Sequence, residues 1–161
     1  MEFSTMNEYL EEAKEELKRV DHIIYVSLKY TRTVDIIRNA LHRMISAFDY
    51  IIEGILWYNK EKKKIDLVPN TYNDKIDTLK KLYKEDKTVN NFITFYSFLR
   101  ELIKAPYAKR EEYRRHVTMI SDLDKKTAEI NIDVLEDNFD PMAKRYLEYA
   151  ELLVGVRKAD E

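Results

Sequence analysis

Apolar residues recur at three- and four-residue intervals through the first third of the chain. Met6, Leu10, Ala13, Leu17, Val20, Ile24 and Leu28 form one stripe; Val34, Ile37, Leu41, Ile45, Phe48, Ile52 and Ile55 form a second. This is the spacing of helices that bury one face. Thr5 with Glu8 makes a capping-box pattern at the start, and Glu11 and Glu12 suit the positive end of a helix dipole. As one helix, residues 6–58 would span about 80 Å, more than a compact domain of this size holds. The polar, β-branched stretch Lys29-Tyr30-Thr31-Arg32-Thr33 therefore predicts a hairpin break, with Thr31 or Thr33 capping the second helix. A single continuous coiled-coil helix is the alternative, because the stripe nearly keeps its phase across the gap.

The second helix fades into the charged run 59–64, and a loop containing Pro69 and Asn70 follows. A third helix over Tyr72–Tyr83 shows Ile76, Leu79, Leu82 and Tyr83 on one face. A charged loop, 84–87, separates it from a fourth, Val89–Lys104. The fourth is apolar almost all round, which predicts a central position, and Pro106 stops it. Ala108–His116 reads as a short helix or an ordered basic loop. Val117–Ile120 and Ala128–Ile132 are β-branched and loosely alternating, which predicts a small β-hairpin. Asp133, with Glu136, opens a last helical region; Asp140-Pro141 reads as a restart with Pro at the first helical position, ahead of Met142, Tyr146, Leu147, Ala150, Leu153 and Val154. The expected fold is mainly α: one antiparallel bundle of five or six helices with a β-hairpin near residues 117–132.

Composition narrows the function classes. The 161 residues include 2 Gly and 3 Pro, where average usage gives about 19 of the two together. Folds made of many tight turns need more, and neither glycine has another near it, so phosphate loops and dinucleotide fingerprints are excluded. Lys+Arg 28 against Asp+Glu 30 leaves a net charge of −2, so bulk charge does not make the chain a polyanion binder. There is no Cys, which removes disulfides, thiol nucleophiles and thiolate metal sites. That absence suits the cytoplasm, and the Lys/Glu richness is thermophile-like. Charges interrupt every window long enough for a membrane span, and the acidic N-terminal residues lack a signal pattern, so no membrane association is expected. His22 and His42 sit on the flanks of the first two helices. Neither Glu-x-x-His nor His-Glu-x-x-His occurs, so no metal site and no cofactor is expected.

One local departure stands out. From 104 to 116 five basic residues face two acidic ones, with His116 beside them and Tyr107 and Tyr113 interleaved. Arg with aromatic neighbours can hold phosphates and stack on unpaired bases. Lys104, Tyr107, Lys109, Arg110, Tyr113, Arg114 and Arg115 are thus candidate binding residues for an RNA or protein partner. The bland alternative is a solvated surface whose Arg residues pair with Glu111, Glu112 and the acidic loop Asp122–Asp124. The 12 Tyr suit core edges, with body in and hydroxyl out, or an interface such as a homodimer through the first two helices.

The long N-terminal helical pair, the further helices and an Arg separated from a His by five residues resemble the HEPN superfamily over roughly the first 120 residues, with Arg110 and His116 as the matching pair. The resemblance implies metal-independent RNA cleavage. His116 would act as general acid or base on the 2′-OH or leaving oxygen, and Arg110 would stabilise charge on the scissile phosphate. Many members of that superfamily are non-catalytic, so the first expectation is a binding module and the second an endoribonuclease.

Overall fold

A computed structural model describes residues 5–156, apart from the Thr5 side chain, so the Thr5–Glu8 capping pattern lies outside the described residues. Helix α1, Thr5–His22, continues through one π turn, Ile23–Ser27, and a last α turn, Leu28–Tyr30. The chain reverses at 31–33, and α2 runs over Val34–Glu61. Thr33 adopts extended backbone and its hydroxyl accepts from the Ile36 amide at 3.3 Å. The break thus rests on a side-chain cap, and no glycine is needed to make it. The two helices are antiparallel: the Tyr9 and Tyr50 rings meet at 6.3 Å, and Glu16 pairs with Arg43 at 3.1 Å. They approach closely at Gly54, where an added Cβ would lie 3.1 Å from Leu10 Cδ2.

Helix α3, Tyr72–Leu82, is capped by Thr71, and α4, Lys87–Lys104, by the Asp86 carboxylate, which accepts from the Val89 amide at 3.0 Å. The central helix is α2 rather than α4. Phe48 of α2 is completely buried, with Phe92 at 5.1 Å, Phe95 at 5.7 Å and Tyr96 at 6.0 Å from α4. Asn91, Thr94 and Glu101 leave α4 one solvent-facing side. These polar positions outweigh the near-continuous apolar run.

After Pro106 the chain forms a three-stranded antiparallel sheet, β1 Tyr107–Arg110, β2 Thr118–Asp122 and β3 Thr127–Asn131, in that order. The expected hairpin is β2–β3. The extra strand corrects the reading of Ala108–His116 as helix or loop over Ala108–Arg110, while 111–116 is the expected loop. β1 is exposed along its whole length, so it has no apolar alternation to betray it; the Asp122 amide pairs with the Pro106 carbonyl at 2.8 Å and starts the ladder. In register, Ala108, Ile120 and Glu129 form one cross-strand row and Lys109, Met119 and Ile130 the next. Met119, Ser121 and Ile130 are buried against the helices. Arg38 of α2 ties the sheet on, donating to the Ile103 carbonyl at 3.2 Å and lying over the Tyr107 ring at 4.1 Å.

The last helical region is also corrected. Asn131, not Asp133, caps it, accepting from the Val134 amide at 2.9 Å. One α turn, Ile132–Val134, leads through a π turn, Leu135–Phe139, directly into α5, Asp140–Leu153; Pro141 stands in the first turn of α5 as expected, but the helical backbone does not break before it. Proline in a continuing helix lacks its amide and crowds the carbonyl four residues back; the widened turn lies at that place. Both π turns share a second cause. Val20, Ile24 and Leu28, and again Leu135, Phe139, Ala143 and Leu147, are buried at successive four-residue steps. In a plain α-helix each such step rotates the stripe by about 40°, and a wider turn brings it back. α5 ends at Gly155, with φ +80, where the Val156 amide reaches the Glu151 carbonyl and the Gly155 amide the Leu152 carbonyl, a Schellman closure that favours glycine. Tyr146 of α5 stacks on Phe92 at 5.5 Å, which completes the core. No helix among the described residues is long and apolar enough to cross a membrane.

Candidate nucleic-acid interface

The basic segment is held in place by its own acids. After β1, Glu111 and Tyr113 take left-handed backbone, φ 55 and 68, a conformation a bulky side chain adopts only when its surroundings impose it. The surroundings are the α1–α2 link. The Tyr113 amide donates to the Arg32 carbonyl at 2.6 Å, and the Glu112 carboxylate accepts from the Val34 amide at 2.7 Å. The Thr118 hydroxyl then donates to the His116 carbonyl at 2.8 Å and fixes the exit into β2.

This docking divides the cations into two groups. Lys109 lies 3.5 Å from Asp35 and 3.9 Å from Glu112. Arg110 points from the outer face of the sheet to Glu129, 2.6 and 3.3 Å from its two oxygens. The hydrogen bonds and charge of each partner hold the Glu129 carboxyl below its ordinary range and the Arg110 guanidinium above its own. Lys104 is exposed at the end of α4, and Tyr107 lies under the Arg38 guanidinium. Arg114, Arg115 and His116 are exposed, and their side chains have neither ion pair nor hydrogen bond among the described residues. Of the bland expectation, Glu112 neutralises Lys109, while none of Glu111, Asp122 and Asp124 pairs with an arginine.

Arg115 and His116 line a cleft of about 240 Å³ between the end of α1 and the start of the last helical region. Buried Ile24 and Leu28 and exposed Lys29 line it from the end of α1, Arg32 from the α1–α2 link, and Asn131, Asp133 and Glu136 from the start of the last helical region. Both π turns contribute, through Ile24 and Glu136. Arg32 is half-buried, and its Nε is buried without a hydrogen-bond partner. Lys29 and Arg32 also make no ion pair among the described residues. Such uncompensated, partly desolvated charge is unfavourable until an anion approaches. Next to these residues in sequence, Tyr30 and Tyr113 are 86% and 77% exposed, far more than side chains that only cap a core edge.

The structure therefore brings together Arg115 and His116 from the basic segment and leaves Arg110 apart. Arg110 does not line the cleft and is engaged by Glu129, so the cations beside His116 are Arg115 and Arg32. Lys29, Tyr30, Arg32, Asp133 and Glu136 were not singled out as site residues from the sequence. The alternation of basic and aromatic residues in Lys29-Tyr30-Thr31-Arg32 is the signal that points to the first three. His22 is exposed; His42 is exposed too, its imidazole held below the ordinary value by partial burial and by Arg38. No group of three His, Asp or Glu side chains among the described residues is placed to hold a metal ion. No protein-family model matches the chain, and neither a curated protein nor a solved structure is similar enough to count as a match.

Proposed function

We propose that this chain is a helical module that binds single-stranded RNA along the edge made by the end of α1 and the loop 111–116. One observation supports this reading above others: two solvent-facing tyrosines, Tyr30 and Tyr113, flank the unpaired cations Lys29, Arg32, Arg114 and Arg115. Stacking surfaces beside free cations suit a flexible polyanion with exposed bases. An acidic protein partner would satisfy the charges and leave the phenol rings without a role. A fluorescein-labelled oligouridylate 12-mer, followed by anisotropy at rising salt, tests the reading. Binding should weaken steeply with salt, and Tyr113→Ala should weaken it about tenfold, the usual effect of losing one stacked base. Salt-insensitive or absent binding sinks the proposal.

A second reading is metal-independent RNA cleavage, favoured by the exposure of His116 on the cleft beside Arg115. An imidazole can both give and take a proton, and so can exchange one with a ribose hydroxyl. Incubation of the oligonucleotide in EDTA with wild-type and His116→Ala protein separates the two. Cleavage lost in the variant makes the protein a nuclease; intact RNA in both leaves a binding module.

A further inference from the structure

We infer that the cleft is a pocket for the end of an RNA strand, holding a terminal phosphomonoester against Arg32, Arg115 and Lys29. The inference rests on the RNA-binding reading and adds which part of the strand the cleft takes. Its lining carries both signs, from different segments of the chain. Lys29 comes from the end of α1, Arg32 from the α1–α2 link and Arg115 from the loop, three formal cations, whereas Asp133 and Glu136 line the cleft from the last helical region as two carboxylates. A strand running through the cleft would carry its next phosphate toward those carboxylates. A strand that ends there avoids the clash. A terminal monoester also bears a charge of about −1.5 to −2 at neutral pH, against −1 for each internal diester, so it answers better to a cluster of cations. The uncompensated Arg32 guanidinium fits the same occupant. Opposite the phosphate, the carboxylates are acceptors for ribose hydroxyls, groups that donate as well as accept.

Three otherwise identical oligouridylate 12-mers test this: one with a 5′-phosphate, one with a 3′-phosphate and one with hydroxyls at both ends. Uridine 5′-monophosphate serves as a fourth probe. The expected result is at least tenfold tighter binding of one phosphorylated end, the preferred end identifying the source of the phosphate. Arg32→Ala should erase the preference while keeping most of the affinity, with a thermal melt checking the fold. The double variant Asp133→Asn, Glu136→Gln should bring hydroxyl-ended RNA toward the phosphorylated affinity, because the repelling wall is gone. Equal binding of all three strands by the wild type overturns the end-pocket and leaves the RNA-binding reading standing. Arg32-dependent binding of the mononucleotide without binding of any strand keeps the pocket and overturns that reading. No binding of any probe overturns both.

Discussion

The Glu112 carboxylate accepts the Val34 amide at 2.7 Å across 78 residues of sequence, so the loop after β1 caps the start of α2. Together with the Thr33 hydroxyl on the Ile36 amide, it satisfies two of the free donors at that helix end. A carboxylate is also the side chain best suited to the positive end of the dipole. Glu112→Ala should destabilise the protein by about 1 kcal/mol, lowering the melting temperature by roughly 2–4 °C for a chain of this size. Glu112→Gln, which keeps an acceptor, should lose less. Thermal denaturation of the three proteins checks the order.

Arg110 and Arg115 should differ as RNA contacts although both belong to the same basic run. Arg110 is committed to Glu129, and Arg115 lacks an ion-pair partner among the described residues. Arg115→Ala should lower affinity and reduce the salt slope by about one phosphate contact, whereas Arg110→Ala should leave both nearly unchanged. Equal effects would mean that the Arg110–Glu129 pair opens on binding.

Which parts of this arrangement the sequence discloses follows from how far apart the partners lie. The helices, and the turn at 31–33, are readable because each is written in a local stripe or cap, such as Val34 to Ile55 or Thr33. β1 is not, since none of its four residues is buried. The two π turns leave only a succession of four-residue steps, Val20-Ile24-Leu28 and Leu135-Phe139-Ala143, which a helical stripe tolerates without comment. The cleft is the least readable part. Its walls come from residues 29–32, 115–116 and 133–136, and no local pattern joins those segments. His116 is marked by its basic neighbours, while Glu136 is read as part of a capping pattern when it in fact faces the cleft.

Buried acid at the α1–α5 contact predicts an unusual pH dependence. Asp140 is 1% exposed, 3.1 Å from Lys144, which also lies 2.9 Å from Asp21. Burial, and then the neighbouring Asp21 carboxylate, push the Asp140 carboxyl up to about 7, against the opposing pull of Lys144. The folded state therefore holds this proton more tightly than the unfolded chain. Its contribution to stability is full below about pH 4, declines between pH 4 and 7, and is gone above. Asp140→Asn should remove that decline, so the variant gains on the wild type as pH rises from 4 to 8. Urea unfolding at four pH values measures the difference; parallel curves would contradict it.

At the centre of the core, Phe48 touches aromatic rings from α4 and α5. Phe48→Ala removes a completely buried ring and should cost about 3–5 kcal/mol. Phe48→Leu, which leaves a smaller void, should cost clearly less. Chemical denaturation midpoints at equal slope distinguish the two.

Gly54 lies at a close approach of α1 and α2, with Leu10 Cγ at 3.2 Å and the Met6 carbonyl oxygen at 3.4 Å from an added Cβ. Alanine there gains helix propensity of about 1 kcal/mol and loses a similar amount by displacing Leu10, so Gly54→Ala should be near neutral. Gly54→Val has no such balance and should destabilise by roughly 1–3 kcal/mol. Melting curves of both variants test whether the helices can move apart.

Each π turn inserts one residue into its helix, and one residue is about 100° of rotation about the axis. Beyond Ile23–Ser27 and Leu135–Phe139 the side chains point where an unbroken α-helix of the same sequence would not send them. The aim of Lys29 and Tyr30 on one side, and the seating of Asp140 and Lys144 on the other, thus depend on the length of two five-residue segments more than on their composition. Deleting a single residue from either would leave a good helix and a misdirected surface. In any relative of this chain, the spacing across these two segments is the first thing to compare, ahead of the identity of the basic residues themselves.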